Sequence, residues 1–159
     1  GLREAPDGAL VETSPVSLRI MHTLADRIAN TGGAALIIDY GHAESAHGET
    51  LQAMQNHKYT DVLDVPGEQD LTAHVDFATL GKIASDAGAT VHGPTEQGEF
   101  LNNLGLGLRT KALMNNAKSP EQASDVFSGA NRLVDADQMG TLFKILGVSS
   151  PALGSLPAL

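Results

Sequence analysis

Ala34-Ala35-Leu36-Ile37-Ile38-Asp39-Tyr40-Gly41-His42 decides how the rest of the chain is read. Five apolar residues follow Gly32-Gly33 with no polar interruption. Such a run has no polar face, so it predicts a strand covered on both sides, the pattern of a central parallel strand in an α/β sheet. Polar groups then arrive abruptly at its carboxyl end. In open α/β sheets ligands bind there, because loops and helix N-termini converge on the strand ends.

Upstream of this strand, Ser14-Pro15 pairs a helix cap with a proline at the first helical position. Val16, Ile20, Leu24 and Ile28 then keep helical spacing up to Asn30. Gly1 to Gly8 is polar and reads as a loop, and Ala9 to Glu12 as a short extended piece. Downstream, residues 41–68 form an excursion of loops and short strands, with Asp61 to Val65 as its extended piece. Asp76 caps a second helix that Gly88 stops, and Thr90-Val91-His92 is a strand ending before Gly93-Pro94. Helices cover 96–116, broken at Gly105-Leu106-Gly107, and 120–133; a last strand covers Thr141 to Val148. Two helix–strand units and a final strand give an α/β sheet with too few strands for a complete doubly wound domain, which has at least about five.

At 159 residues the chain is sized for one domain, and its 42% hydrophobic content with 4% aromatics makes the core aliphatic. It has no cysteine, which excludes disulfides, thiolate nucleophiles and cysteine-bound metals. The net charge of −9 argues against a broad nucleic-acid or anionic-membrane surface. No apolar run approaches the roughly 18 residues of a membrane span, so no membrane insertion is expected. The chain opens with Gly1 rather than methionine, as a processed chain or a piece of a longer one does.

Candidate chemistry gathers in a few places. Asp39, Tyr40 and His42 sit at the strand end, where a carboxylate orients a cation or a hydroxyl, although Asp39 also suits a turn cap. Thr72, His74 and Asp76 alternate before the second helix and would share one side of an extended segment. His74 suits a general base there, and Asp76 suits an N-cap. His42, Glu44 and His47 form H-x-E-x-x-H, but among Gly and Ser rather than on a helix, so no metal site is expected. Gln97 and Glu99 open a helix where the dipole alone accounts for an acid. No phosphate loop, G-x-G-x-x-G after a strand, or G-x-S-x-G elbow occurs. The residues alone therefore identify no reaction.

Several longer blocks together carry a resemblance. They are Val11 to Pro15, the Leu36 to His42 run, Gly48 to Ala53, Pro66 to Phe77, Thr95 to Leu101 and Met139 to Lys144. In this order they resemble the MidA-like family of class I S-adenosylmethionine-dependent methyltransferases. That family includes a mitochondrial protein-arginine methyltransferase that assists assembly of a respiratory complex. The resemblance implies a Rossmann-like sheet ordered 3-2-1-4-5-7-6 with strand 7 antiparallel. Residues 34–40 would be strand 5, 89–93 strand 6 and 141–148 strand 7. The chain, 1–159, would be the carboxyl-terminal part of a single domain, with a helical insertion over about 97–135.

The family's glycine-rich turn and following acidic strand end are absent, so no cofactor-binding residue is assigned and the chain alone is expected to be inactive. S-adenosyl-L-methionine is the cofactor the resemblance implies for the whole protein. The implied partner is a protein substrate, a respiratory complex subunit among the candidates, and a homodimer is a further expectation. The implied location is the bacterial cytoplasm or the mitochondrial matrix. Asp39 and Asp76 would clamp an arginine guanidinium, with Tyr40 and His74 as neighbouring orienters. Rival readings are a non-catalytic assembly factor that keeps the fold, and a metal-dependent hydrolase using His42, His47 and His74.

Overall fold

A computed structural model describes residues 5–159, so part of the loop expected over 1–8 lies outside the described residues. Ser14 begins helix α1 (Pro15–Thr31): its hydroxyl accepts the Ser17 N–H at 3.4 Å, and Pro15 stands where no N–H is needed. Met21, Ala25 and Ile28 form its buried stripe. Gly32, with φ +85°, ends the helix and passes the chain into β1 (Ala34–His42).

The excursion that follows builds its own sheet from β2 (Gln52–Gln55), β3 (Lys58–Thr60) and β4 (Asp70–Thr72), ordered β3-β2-β4 and antiparallel throughout. Asn56 and His57, both at positive φ, make the two-residue hairpin turn between β2 and β3. Asp61 to Val65 is not the extended piece expected from its alternation. It forms turns, because the Asp61 side chain accepts the Leu63 N–H at 2.9 Å and its carbonyl accepts from Asp64.

Next come β5 (Val75–Asp76), α2 (Phe77–Asp86) and β6 (Thr90–Glu96). Strand β6 does not stop at Gly93-Pro94. It continues through a bulge between His92 and Thr95, where Gly93 lies too close to the Ile145 carbonyl to carry a side chain. Helices α3 (Gln97–Asn103), α4 (Leu106–Asn115), α5 (Pro120–Val134) and α6 (Met139–Leu142) then lead into β7 (Phe143–Ser149). Thr141 and Leu142 are thus helical rather than the start of the strand.

The main sheet is ordered β5-β1-β7-β6, with β7 antiparallel to both neighbours. This matches the 5-7-6 arrangement with an antiparallel strand 7 that the resemblance implies. One face carries the core: Met21, Ala25 and Ile28 of α1 and Phe77, Leu80 and Ala84 of α2 pack on Leu146 and Val148, with Ala35 and Ile37 against them. Over the other face Ile145 is buried, and Leu156 and Leu159 of the tail close on Gly147.

That second face is only partly covered, which corrects the reading of β1 as a strand buried on both sides. Leu36 is 49% exposed and Ile38 48%. Among the described residues its long partner is antiparallel β7, and only Gly41 and His42 pair in parallel, with β5. An all-apolar run records that both faces avoid water, not which element shields them. Along 34–40 the edge away from β7 pairs with no strand among the described residues. Leu146→Ala, at a fully buried position, should cost about 2–5 kcal/mol. Ile38→Ala should cost no more than about 1 kcal/mol, since half of that side chain already meets water; urea unfolding of both variants checks the difference.

Candidate functional site

The site grows from one close backbone approach. A Cβ on Gly41 would run into the Val75 carbonyl and amide, so only glycine lets β5 seat against the carboxyl end of β1. That seating places Asp76 beside His42. The His42 Nδ1 stands 4.0 Å from the Asp76 Oδ1, beyond hydrogen-bond reach, and it is a buried nitrogen with no hydrogen-bond partner. Asp76 is also the N-cap of α2: its Oδ1 accepts the Thr79 N–H at 2.9 Å. Its Oδ2 accepts from the hydroxyls of Thr79 and Ser45, each at 2.7 Å. Burial alone would raise the Asp76 pKa. The three hydrogen bonds and the nearby His42 outweigh it and hold the carboxyl below its ordinary range.

A second carboxylate, Glu12, lines the same site. The Glu12 Oε1 accepts the backbone N–H groups of Thr50 at 2.9 Å and Leu51 at 3.1 Å. The Thr50 hydroxyl donates to Oε2 and its oxygen accepts the His74 backbone N–H at 2.9 Å. The Thr50 hydroxyl is the main reason that the Glu12 pKa lies below the usual carboxylate value. Through these bonds the 43–51 loop and the segment before β5 are tied to the start of α1. Between the two carboxylates lies a cavity of about 330 Å³, lined by Glu12, Ser14, Leu18, His42, His74 and Asp76 among others.

Of the four expected site residues, three converge. His74 and Asp76 line this cavity, and the Tyr40 ring meets His74 edge-on at 5.8 Å and Phe143 at 5.7 Å. Asp39 is not among the lining residues: its Oδ1 accepts the Tyr40 N–H at 2.8 Å, and it faces Lys144 across the ladder. Thr72 does not line the cavity either. Gln97 is buried and donates from Nε2 to the Leu133 carbonyl at 2.9 Å, which locks α3 to α5. Among the described residues no group of three or more His, Asp or Glu side chains is arranged to hold a metal ion. Glu12 and Thr50 went unrecognised in the sequence. The available signal was that both stand in blocks, Val11 to Pro15 and Gly48 to Ala53, that carry the family resemblance.

A strand-end cavity of this kind admits many chemistries, and comparison with known proteins narrows them. The family described as "putative S-adenosyl-L-methionine-dependent methyltransferase" matches residues 2–95, more than half of the chain. The chain belongs to this family. It is 41% identical to protein arginine methyltransferase NDUFAF7, mitochondrial, of Xenopus tropicalis over 138 residues, covering 87% of this chain and 32% of that protein. The Mus musculus protein of the same name is also 41% identical, over 84% of this chain and 30% of its own length. The chain thus spans about a third of the length of the curated relatives it matches.

Two solved structures share this fold. A Burkholderia thailandensis protein superposes with a TM-score of 0.80 at 27% identity, over 96% of this chain and 43% of that one. A second protein from that organism, bound to S-adenosyl-homocysteine, superposes with a TM-score of 0.75 at 29% identity, over 92% and 38%. The resemblance to MidA-like methyltransferases and the α/β, Rossmann-like fold class are both borne out.

Asp76→Ala removes the cap and should cost about 1–2 kcal/mol of stability; Asp76→Asn should cost less, because an amide oxygen still caps. The folded carboxyl lies below its unfolded value of about 4, so its contribution is complete above that pH and is lost as pH falls through the folded value. Wild type and Asp76→Asn should therefore draw together in urea stability as pH falls below about 4, and converge only once it has passed below the folded carboxyl's own, lower value.

Proposed function

We propose that this chain is the carboxyl-terminal, substrate-side part of a single S-adenosyl-L-methionine-dependent methyltransferase domain that methylates protein arginine. The observation that carries the reading is the position of the cavity. It opens where the carboxyl end of β1 meets the N-terminus of α2, the place where α/β sheets hold ligands, in a member of a methyltransferase family. The relatives named protein arginine methyltransferase support the choice of substrate, and the neighbour bound to S-adenosyl-homocysteine supports the choice of methyl donor.

Donor binding is not a task for the residues described. A donor cradle of this fold is a glycine-rich turn from a strand into a helix. Here the strand-to-helix passages are Val75-Asp76-Phe77 and Glu96-Gln97-Gly98, and neither has that form. No donor-binding residue is therefore assigned, and no step is derived through the donor.

What these residues offer is the holding of a substrate side chain. A guanidinium is planar and always charged, and carboxylates bind it in pairs of parallel hydrogen bonds. Asp39, Tyr40, His74 and Asp76 are the proposed substrate-side residues. Asp76 already accepts three hydrogen bonds, which makes it the group that orients its neighbours Thr79 and Ser45, while Tyr40 and His74 supply an aromatic wall. The mitochondrial relatives make the matrix the proposed location in a eukaryotic source and the cytoplasm in a bacterial one, with a respiratory complex subunit as a substrate candidate. No helix of the described residues is long and apolar enough to cross a membrane.

Calorimetric titration with S-adenosylmethionine tests the division of labour: the whole protein should bind it and the 159-residue chain alone should not. In the whole protein, Asp39→Asn should lower arginine methylation at least about tenfold with its thermal midpoint unchanged. Unchanged methylation would remove Asp39 from the site.

A further inference from the structure

The helical insertion leaves the carboxyl end of β6 and returns at Phe143, which packs on Tyr40. It therefore stands on the same end of the sheet as the cavity. Within it, α4 buries none of its residues, although it carries three leucines and a methionine. Between α4 and α5 lies a cleft of about 400 Å³, walled by Leu106, Met114, Phe127 and Val134, with Phe127 50% exposed. An apolar cleft of that size on a short helix pair holds one or two side chains of a ligand.

Charge says what kind of ligand. The chain carries −9 overall, yet residues 101–134, which build both walls of the cleft, hold four cations, Arg109, Lys111, Lys118 and Arg132, against two carboxylates, Glu121 and Asp125. Lys111 lines the cleft itself. Asn102, Asn115 and Asn131 also line it, and their carboxamides offer donors and acceptors to a polypeptide. A bilayer takes up a convex apolar face rather than a concave one edged with amides. We propose that the α4–α5 cleft docks a short segment of a partner protein that presents an apolar anchor flanked by Asp and Glu side chains. The cleft is built by residues beyond 95, outside the stretch that the family profile matches. The inference stands apart from the methylation reading, since such docking needs no methyl transfer.

Fluorescence anisotropy tests it on the whole protein. The probe is a labelled synthetic helical peptide with Leu and Phe one turn apart and Glu on both flanks; its control carries Lys in place of Glu. The Glu peptide should bind at least about tenfold tighter than the Lys peptide, and more weakly as salt is added. Lys111→Glu with Arg109→Glu should weaken it about tenfold, and Phe127→Ser should abolish detectable binding. Leu108→Ser, 79% exposed and outside the cleft, should leave binding unchanged and controls for general surface effects. Equal binding of the two peptides would overturn the proposal. So would indifference to the Lys111 and Arg109 reversals, which touch only exposed side chains and leave the fold intact. Displacement of the peptide by anionic phospholipid vesicles would assign the cleft to a membrane. Loss of binding with self-association in sedimentation would assign it to a second copy of the chain.

Discussion

The antiparallel insertion of β7 between β1 and β6 is the constraint on which the rest depends. Its backbone is paired on both edges, and Ile145, Leu146, Val148 and Ser149 have almost no access to solvent. Leu146 and Val148 hold α1 and α2 on one face, while Gly147 leaves room for the tail on the other. The register also sets function-bearing geometry: Tyr40 opposite Phe143 and Glu96 opposite Lys144 bring β1, β6 and the whole insertion to one end of the sheet. Slipping this register by one residue would turn every core side chain to the wrong face.

Against that frame, the second determinant is local. Gly41 permits β5 to approach, and Asp76 at once ends a strand pair and starts a helix. One carboxylate thereby fixes the N-terminus of α2 and, through Ser45, the 43–51 loop. Glu12 does the matching work through Thr50 and Leu51. These two acids have most of their acceptor capacity already committed, so a ligand in the cavity meets surfaces they position more than the acids themselves.

Helix starts and the order of elements were legible in the sequence because their causes are local. Ser14-Pro15, Asp76, Ser119-Pro120 and Gly88 each act within one helical turn. The hairpin at Asn56-His57 was not, since its turn lacks glycine and its strands are only a few residues long. Coverage of β1 was misread for a different reason: hydrophobicity states a need, and the neighbour that meets it is encoded elsewhere. The site was half legible. His74 and Asp76 stood out by spacing, whereas Glu12 and Thr50 are 38 residues apart and meet only through the tertiary fold.

The polarity of the surface carries the last step. A chain of net charge −9 places α4, none of whose residues is buried, in a carboxylate-free stretch, 101–120, and so leaves apolar side chains exposed beside cations. Gln97 bonding Leu133 and the close seating of Gly98 and Gly140 against the Val134 carbonyl fix α3, α5 and α6 to one another, and α4 takes no part in these contacts. Helices α3, α5 and α6 are thus tied together while α4 stays exposed. Such a division suits a surface that stays in register with a neighbouring cavity while presenting apolar side chains to a partner.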